Sequence, residues 1–139
     1  MRSEVRARGE RGSAAVDFVL VGVLVIAVSL ALLQLALSMH VRNVLTDAAG
    51  EGARRAALVG GTEAEAEERV HALADAALRD GYVDSVRVSD ESADGLAVVA
   101  VEVTAPLPVL GLLGPGGVLR VTGHAVDETE LVDPPEDQP

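Results

Sequence analysis

The sequence predicts an α+β protein: a long N-terminal transmembrane helix that continues outside the membrane, then a helix and a small three-stranded antiparallel sheet. Three observations predict this class. Residues 18–39 form an uncharged apolar run, and residues 41–78 show apolar positions at helical spacing. From residue 83 onwards, valine-rich segments alternate with turn residues, which is typical of strands.

The apolar run Phe18–Met39 has 22 residues, and its polar side chains are Ser29, Gln34 and Ser38. A helix needs about 20 apolar residues to cross a bilayer, so this run is long enough. A cleaved secretory signal has a shorter apolar region of roughly 7–15 residues and is less favoured. A buried globular helix is less favoured again, because the remaining chain is too small to surround it.

The charges on either side of the run predict its orientation. Residues 1–12 carry four arginines and two glutamates, whereas residues 41–139 carry seven arginines and nineteen acids. Positive residues beside a first helix tend to stay in the cytoplasm. We therefore expect a cell-membrane protein that crosses once, with residues 1–12 inside and residues 43–139 outside.

Composition restricts the functions open to the extracytoplasmic part. The net charge of −12 over residues 41–139 disfavours binding to nucleic acid and to anionic lipid. The chain has no cysteine, which excludes disulfides and thiolate zinc sites.

Two helical segments are expected between the membrane and residue 81. The first continues the apolar run, with a stripe of small residues on one face, until Gly60-Gly61 stops it. The second begins with a capping box, Thr62 as N-cap and Glu65 three residues later. Arg79 is expected in its last turn and Gly81 at the position after its C-cap.

Three strands should follow. Val83–Val88 and Leu96–Thr104 predict an antiparallel hairpin around a turn at Asp90–Gly95. Residues 105–117 are rich in proline and glycine and predict a loop, and Val118–Val126 predicts the third strand. The C-terminal tail, residues 127–139, has six acids and three prolines, a composition typical of disorder.

Other candidate sites are weak. Gly111–Gly117 lacks the Gly-Lys-Ser/Thr of a phosphate loop, and the glutamates of 63–68 read as a solvated helix start. His40, His71 and His124 lie on different elements without ligand-spaced partners, and neither Ser13 nor Ser29 has a base nearby. We expect no catalytic residue, no metal site and no cofactor, and a protein that is not an enzyme.

Asp17 stands out because it begins the membrane run. An ionisable residue there is costly, although the dipole of a helix N-terminus lowers the cost of a carboxylate. The residues alone leave two interpretations: a carboxylate at the membrane interface, or a functional group. The preceding Arg11-Gly12-Ser13 favours the second.

Arg11-Gly12-Ser13-Ala14-Ala15-Val16-Asp17-Phe18 resembles the start of the TadE-like family, the minor pseudopilins of tight-adherence (Flp) type IV pili. The resemblance extends over residues 11–58 and includes the segment 41–54 after the apolar run. It implies a bacterial pilin-like fold and cleavage by a prepilin peptidase between Gly12 and Ser13. Asp17 would be the fifth mature residue, where the family has glutamate, and would act in assembly.

The resemblance also implies partners and a domain layout. The partners would be a prepilin peptidase, other pilins and pseudopilins, and the inner-membrane platform of a pilus or related secretion machine. An unprocessed single-pass anchor with a protein-binding ectodomain is the alternative. The expected layout is a cytoplasmic leader 1–12, a transmembrane and extended helix 13–58, a small α+β domain 59–126 and an acidic disordered tail 127–139.

Overall fold

A computed structural model describes residues 3–93, 95–108 and 117–128, with side chains from Ser13 onwards. The elements are α1 (Ser3–Ala57), α2 (Glu63–Ala77), β1 (Ser85–Ala93), β2 (Leu96–Pro106) and β3 (Val118–Val126). This confirms the α+β class, with a long N-terminal apolar helix, a second helix and a three-stranded antiparallel sheet. The chain divides into two units, residues 1–36 and 37–139.

The unit of residues 1–36 consists of the first part of α1. It is helical from Ser3, so the helix includes residues 3–12 of the predicted leader as well as the start of the apolar run. Alanine and leucine have high helix propensity, and no proline interrupts the segment. Backbone hydrogen bonds within a helix satisfy every interior peptide group, which is what a bilayer requires.

The unit of residues 37–139 is built around the last part of α1. The predicted stripe of small residues is buried: Val41, Leu45, Ala48, Ala49 and Ala53 are at most 2% exposed. They form one hydrophobic cluster with residues of α2 and the sheet. The predicted stop is also confirmed, because α1 ends at Ala57 and Gly60 adopts a positive φ of 79°.

The helix α2 begins as its sequence predicts. The Thr62 side chain accepts a hydrogen bond from the Glu65 amide at 3.3 Å. Such a cap satisfies an amide that the helix itself leaves without an acceptor. Ala66, Val70 and Ala74, at three- and four-residue spacing, are buried.

The end of α2 differs from the prediction. The helix ends at Ala77 with Leu78 as its cap, so Arg79 lies beyond the last turn and Gly81 is not the residue after the cap. Instead, Gly81 has a positive φ of 68° and its amide donates to the Asp75 carboxylate at 3.0 Å. This bond supplies a local alternative to another helical turn.

The sheet has the order β1-β2-β3, with both pairs antiparallel. The central strand β2 carries the core residues Val101, Val103 and Ala105, each 0% exposed. In the register, Val101 lies opposite Val88 on one side and Gly123 on the other. The predicted third strand is confirmed with its predicted ends, Val118 and Val126.

The predicted first strand and its antiparallel pairing with the second are confirmed, but the predicted bounds, Val83–Val88 with a turn from Asp90, are wrong. The strand β1 begins at Ser85 and continues to Ala93, which pairs with Leu96. Residues 89–93 are all exposed on an edge strand, so their polar side chains stay in water at no cost. The turn is thereby shortened to the two residues between Ala93 and Leu96.

Two predicted segments lie partly outside the described residues. Within the predicted loop, β2 extends to Pro106 and the Leu107 amide donates to the Gly117 carbonyl at 2.9 Å, whereas residues 109–116 are not described. Of the predicted tail, the structure describes residues 127 and 128. The Asp127 amide donates to the Ala97 carbonyl at 2.9 Å, and the Glu128 amide to the Ala57 carbonyl at 3.0 Å.

Candidate functional site

The predicted processing junction lies within α1. Gly12 and Ser13 are both helical, and Ser13 and Asp17 are exposed. Residues four apart in a helix lie on the same face, one turn or about 6 Å along the axis. The fold therefore places the Asp17 carboxylate one turn from the residue whose amine a cut after Gly12 would release.

The surface after Asp17 is apolar on all sides. Apart from the half-buried Leu37, the large aliphatic and aromatic side chains of residues 18–39 are between 50% and 80% exposed, with Phe18 at the upper limit. By length and composition, this helix is a candidate membrane anchor. The Ser29 hydroxyl donates to the Val25 carbonyl at 2.8 Å, which lowers the cost of placing it in lipid.

Residues 12–54 match the family model described as TadE-like protein. This segment, 43 of the chain's 139 residues, is similar to the TadE-like family. The match begins at Gly12, spans Asp17 and the apolar run, and ends within the buried stripe of α1, so it confirms the resemblance seen in the sequence. No curated protein and no solved structure matched the chain.

The other predicted candidates stay apart. His71 Nε2 lies 3.9 Å from Glu67 on α2, and His124 Nε2 lies 3.7 Å from Glu91 across the sheet. His40 is exposed on α1. Among the residues that the structure describes, no group of three or more metal-ligating side chains comes together.

A second feature lies mostly beyond the TadE-like segment and was missed in the sequence. Three arginines, Arg54 and Arg55 from the end of α1 and Arg69 from α2, line a groove of about 740 Å³ beside the end of β3. We call it the arginine groove. The other lining residues are Glu51, Ala57, Leu58, His124, Ala125, Val126 and Glu128.

The three arginines of the arginine groove are balanced by three glutamates, Glu51 and Glu128 of its lining and Glu65 of α2. Arg54 lies 2.6 Å and Arg69 lies 4.0 Å from Glu51, so two guanidinium groups share one carboxylate. Arg55 pairs with Glu65 of α2 at 2.8 Å. The hydrogen bond and the charge of Arg54 lower the pKa of Glu51.

These pairs are exposed to solvent and therefore add little to stability. Their side chains are between 39% and 65% exposed, so a solvent-borne carboxylate can reach the guanidinium groups. The sequence carried one signal of this surface: the pair Arg54-Arg55 ends a helix just before a capping box. The third arginine could not be placed without the packing of α2 on α1.

Proposed function

We propose that this chain is a minor pseudopilin of a Flp-type pilus or a related secretion machine and has no enzymatic role. The observation that carries the proposal is the TadE-like match, which begins at Gly12 and includes Asp17 and the whole apolar run. The family suggests a protein associated with Flp (tight-adherence) pili, in a setting with other pilus components.

The exposed helix supports a role in assembly. In an 18-residue window of this helix no part is buried within the chain, so its apolar surface needs lipid or other helices. Small residues such as Ala14, Ala15, Gly22 and Ala27 let neighbouring helices approach closely in a membrane. A pseudopilin needs both: an anchor before assembly and a packing surface after it.

The charge distribution supports the orientation. The leader has a net charge of +2, and residues 41–139 have a net charge of −12. The positive flank favours retention of residues 1–12 in the cytoplasm, where a prepilin peptidase would cut. The small domain then lies outside the cytoplasm, where other pilins and pseudopilins gather on an inner-membrane platform.

Asp17 is assigned the assembly role. Cleavage after Gly12 creates an amine at Ser13, and the Asp17 carboxylate of a neighbouring subunit would neutralise it. Two unpaired charges in lipid are expensive, and pairing lowers the cost of both. Assembly would then be favoured over leaving each subunit alone in the bilayer.

The N-terminus of the mature protein tests the proposal. Mass spectrometry of protein purified from a host with the cognate peptidase should find Ser13 as the first residue. Gly12→Leu should remain full length, because a peptidase that fits glycine closely has no room for a larger side chain. Gly9→Leu is the matched control, since it adds the same side chain to the same leader and should be cleaved normally.

The second candidate is an unprocessed single-pass anchor whose ectodomain binds an envelope protein. The arginine groove is the observation that favours it, because it offers a binding surface that needs no cleavage. A mature N-terminus at Met1, with equal size for wild type and Gly12→Leu, would support this anchor and rule out the pseudopilin route.

A further inference from the structure

Gln34 places a primary amide within the apolar run of α1. The polar side chains of the run are Ser29, Gln34 and Ser38. A serine hydroxyl has a single donor, and Ser29 uses it on the Val25 carbonyl at 2.8 Å. A carboxamide has two N–H donors and two acceptor lone pairs, whereas the backbone N–H groups inside a helix are already bonded to carbonyls. Gln34 therefore has bonding capacity for a neighbouring helix, in addition to any bond along its own.

The position of Gln34 keeps this amide away from water once the helix lies in a bilayer. Gln34 is five residues before Met39, the end of the run, or about 7.5 Å along the helix axis. The bonds from Cα to Cβ in a helix tilt toward its N-terminus, so this side chain leans further into the run and away from the nearer interface. Another protein helix is then a better partner than water.

Small side chains lie on the face of α1 that carries Gln34. Ala31 precedes Gln34 by three residues and Ala27 by seven, so the three residues share one side of the helix. Both alanines are exposed. The bulkier Leu32 and Leu33, 62% and 57% exposed, lie toward the opposite side. The alanine side lets a second backbone approach closely enough for two amides to meet.

A second copy of this chain offers the matching group. Copies of one chain insert in the same orientation, so their Gln34 side chains lie at the same depth. A carboxamide both donates and accepts, so two copies related by a twofold axis can exchange hydrogen bonds between the same groups. The group is therefore complementary to itself and needs no other polar partner.

We propose that two copies of this chain pair in the membrane through their Gln34 carboxamides, with Ala27 and Ala31 at the contact. The pairing rests on the proposed function in one respect, that residues 18–39 lie in a bilayer. Gln34 lies 22 residues after Gly12, so the precursor and the cleaved chain should pair alike. A polar contact between membrane helices raises an association constant about three- to thirtyfold, so the pair is reversible and can open when subunits join an assembly.

Disulfide formation between copies tests this contact in the full-length chain, in membranes of a bacterial host that has no pilus genes. The chain has no native cysteine, so a single introduced cysteine reports its own contact. Ala31→Cys should give disulfide-linked dimers under a mild oxidant, because a disulfide requires β-carbons about 4 Å apart. Leu33→Cys is the matched control, since it lies at nearly the same depth on the opposite side of the helix.

The expected result has two parts. Dimers of the Ala31→Cys chain should form at least about three times faster than dimers of the Leu33→Cys chain. Adding Gln34→Leu to Ala31→Cys should remove this advantage. Adding Ser29→Ala should keep it, because that hydroxyl is bonded within its own helix. Equal rates for the two cysteines, or an advantage that survives Gln34→Leu, would overturn the proposal.

The pairing and the pseudopilin role fail in different measurements. A mature N-terminus at Met1 would rule out the pseudopilin route, yet an Ala31→Cys advantage that depends on Gln34 would still support the pairing. Normal cleavage at Gly12 together with equal rates for the two cysteines would overturn the pairing alone.

Discussion

Gly123 lies against Gly50, and a β-carbon on Gly123 would overlap the Gly50 amide nitrogen and the Ala49 carbonyl group. The strand β3 therefore touches the backbone of α1 directly. The reverse does not hold, because a β-carbon on Gly50 would meet no atom within 4 Å. The contact therefore requires a glycine at position 123 but leaves room for a side chain at position 50.

This asymmetry predicts opposite effects for two alanine substitutions. Gly123→Ala forces a methyl group against rigid backbone and should lower the free energy of unfolding by about 1–3 kcal/mol. Gly50→Ala should raise it by up to about 1 kcal/mol, because alanine is the better helix former and has open space. Denaturant unfolding in micelles, followed by circular dichroism, measures both. If both variants changed the free energy of unfolding by the same amount, the close contact between Gly123 and the backbone of α1 would be contradicted.

The helices were predictable because local signals agreed with the packing. The capping box at Thr62 fixed the start of α2, and the spacing of small residues on α1 marked the face that is now buried. The contact between Gly123 and α1 has no such local signal. It depends on the register of β3 against β2, which residues far apart in sequence decide.

The bounds of the first strand and the arginine groove likewise could not be predicted from local sequence signals. Asp90 and Glu91 suggested a turn, yet they pair with Val99 and Val98 because an edge strand leaves polar side chains in water. Asp17 could be predicted as a candidate from the residues around it, since the junction and the membrane run are contiguous in sequence. The groove arginines come from two helices, and their meeting required the tertiary fold.

Tyr82 gives a prediction about alkaline pH. Its side chain is 8% exposed, its hydroxyl donates to the Pro106 carbonyl at 3.0 Å, and burial raises the pKa of the phenol. Because the pKa of the phenol is raised in the folded state, the neutral side chain stabilises the fold. This stabilisation is complete below about pH 10, the ordinary pKa of tyrosine, and is lost as the pH rises through the pKa of the folded state. The free energy of unfolding of the wild type, measured at a series of alkaline pH values, should therefore stay constant up to about pH 9 and fall above about pH 10.

Tyr82→Phe is the matched variant for this effect. It should cost about 1 kcal/mol at neutral pH, through the lost hydrogen bond, and show less weakening above pH 10. The chain has no lysine, no cysteine and one tyrosine, so no other side chain is expected to titrate in that range. A Phe variant that loses stability with pH as steeply as the wild type would assign the alkaline transition to another cause.

The flanking charges predict the topology. A reporter that is active only in the cytoplasm, fused after residue 130, should be silent, and one that is active only outside should give signal at the same position. Replacing the four leader arginines by glutamate should weaken this preference, because it removes the positive flank. Strong cytoplasmic activity of the wild-type fusion would reverse the orientation and exclude the pseudopilin model with it.

Asp17 provides the sharpest test of assembly, because two substitutions separate its charge from its size. In the proposed assembly, Asp17→Asn would remove the counter-charge of the Ser13 amine on a neighbouring subunit. Removing one partner of a buried pair costs about 3–5 kcal/mol, and less where water reaches the site. We expect this variant to be inserted and cleaved but to fail to join the pilus components.

Asp17→Glu is the control, because it keeps the charge and restores the residue that the TadE-like family has at this position. Co-purification with the pilus components, beside cleavage followed by immunoblot, should show normal processing for both variants and assembly for the glutamate variant alone. Co-purification of the Asp17→Asn variant decides between the two interpretations of Asp17. If this variant co-purifies as well as the wild type, the carboxylate merely sits at the membrane interface, where the helix dipole suffices to stabilise it.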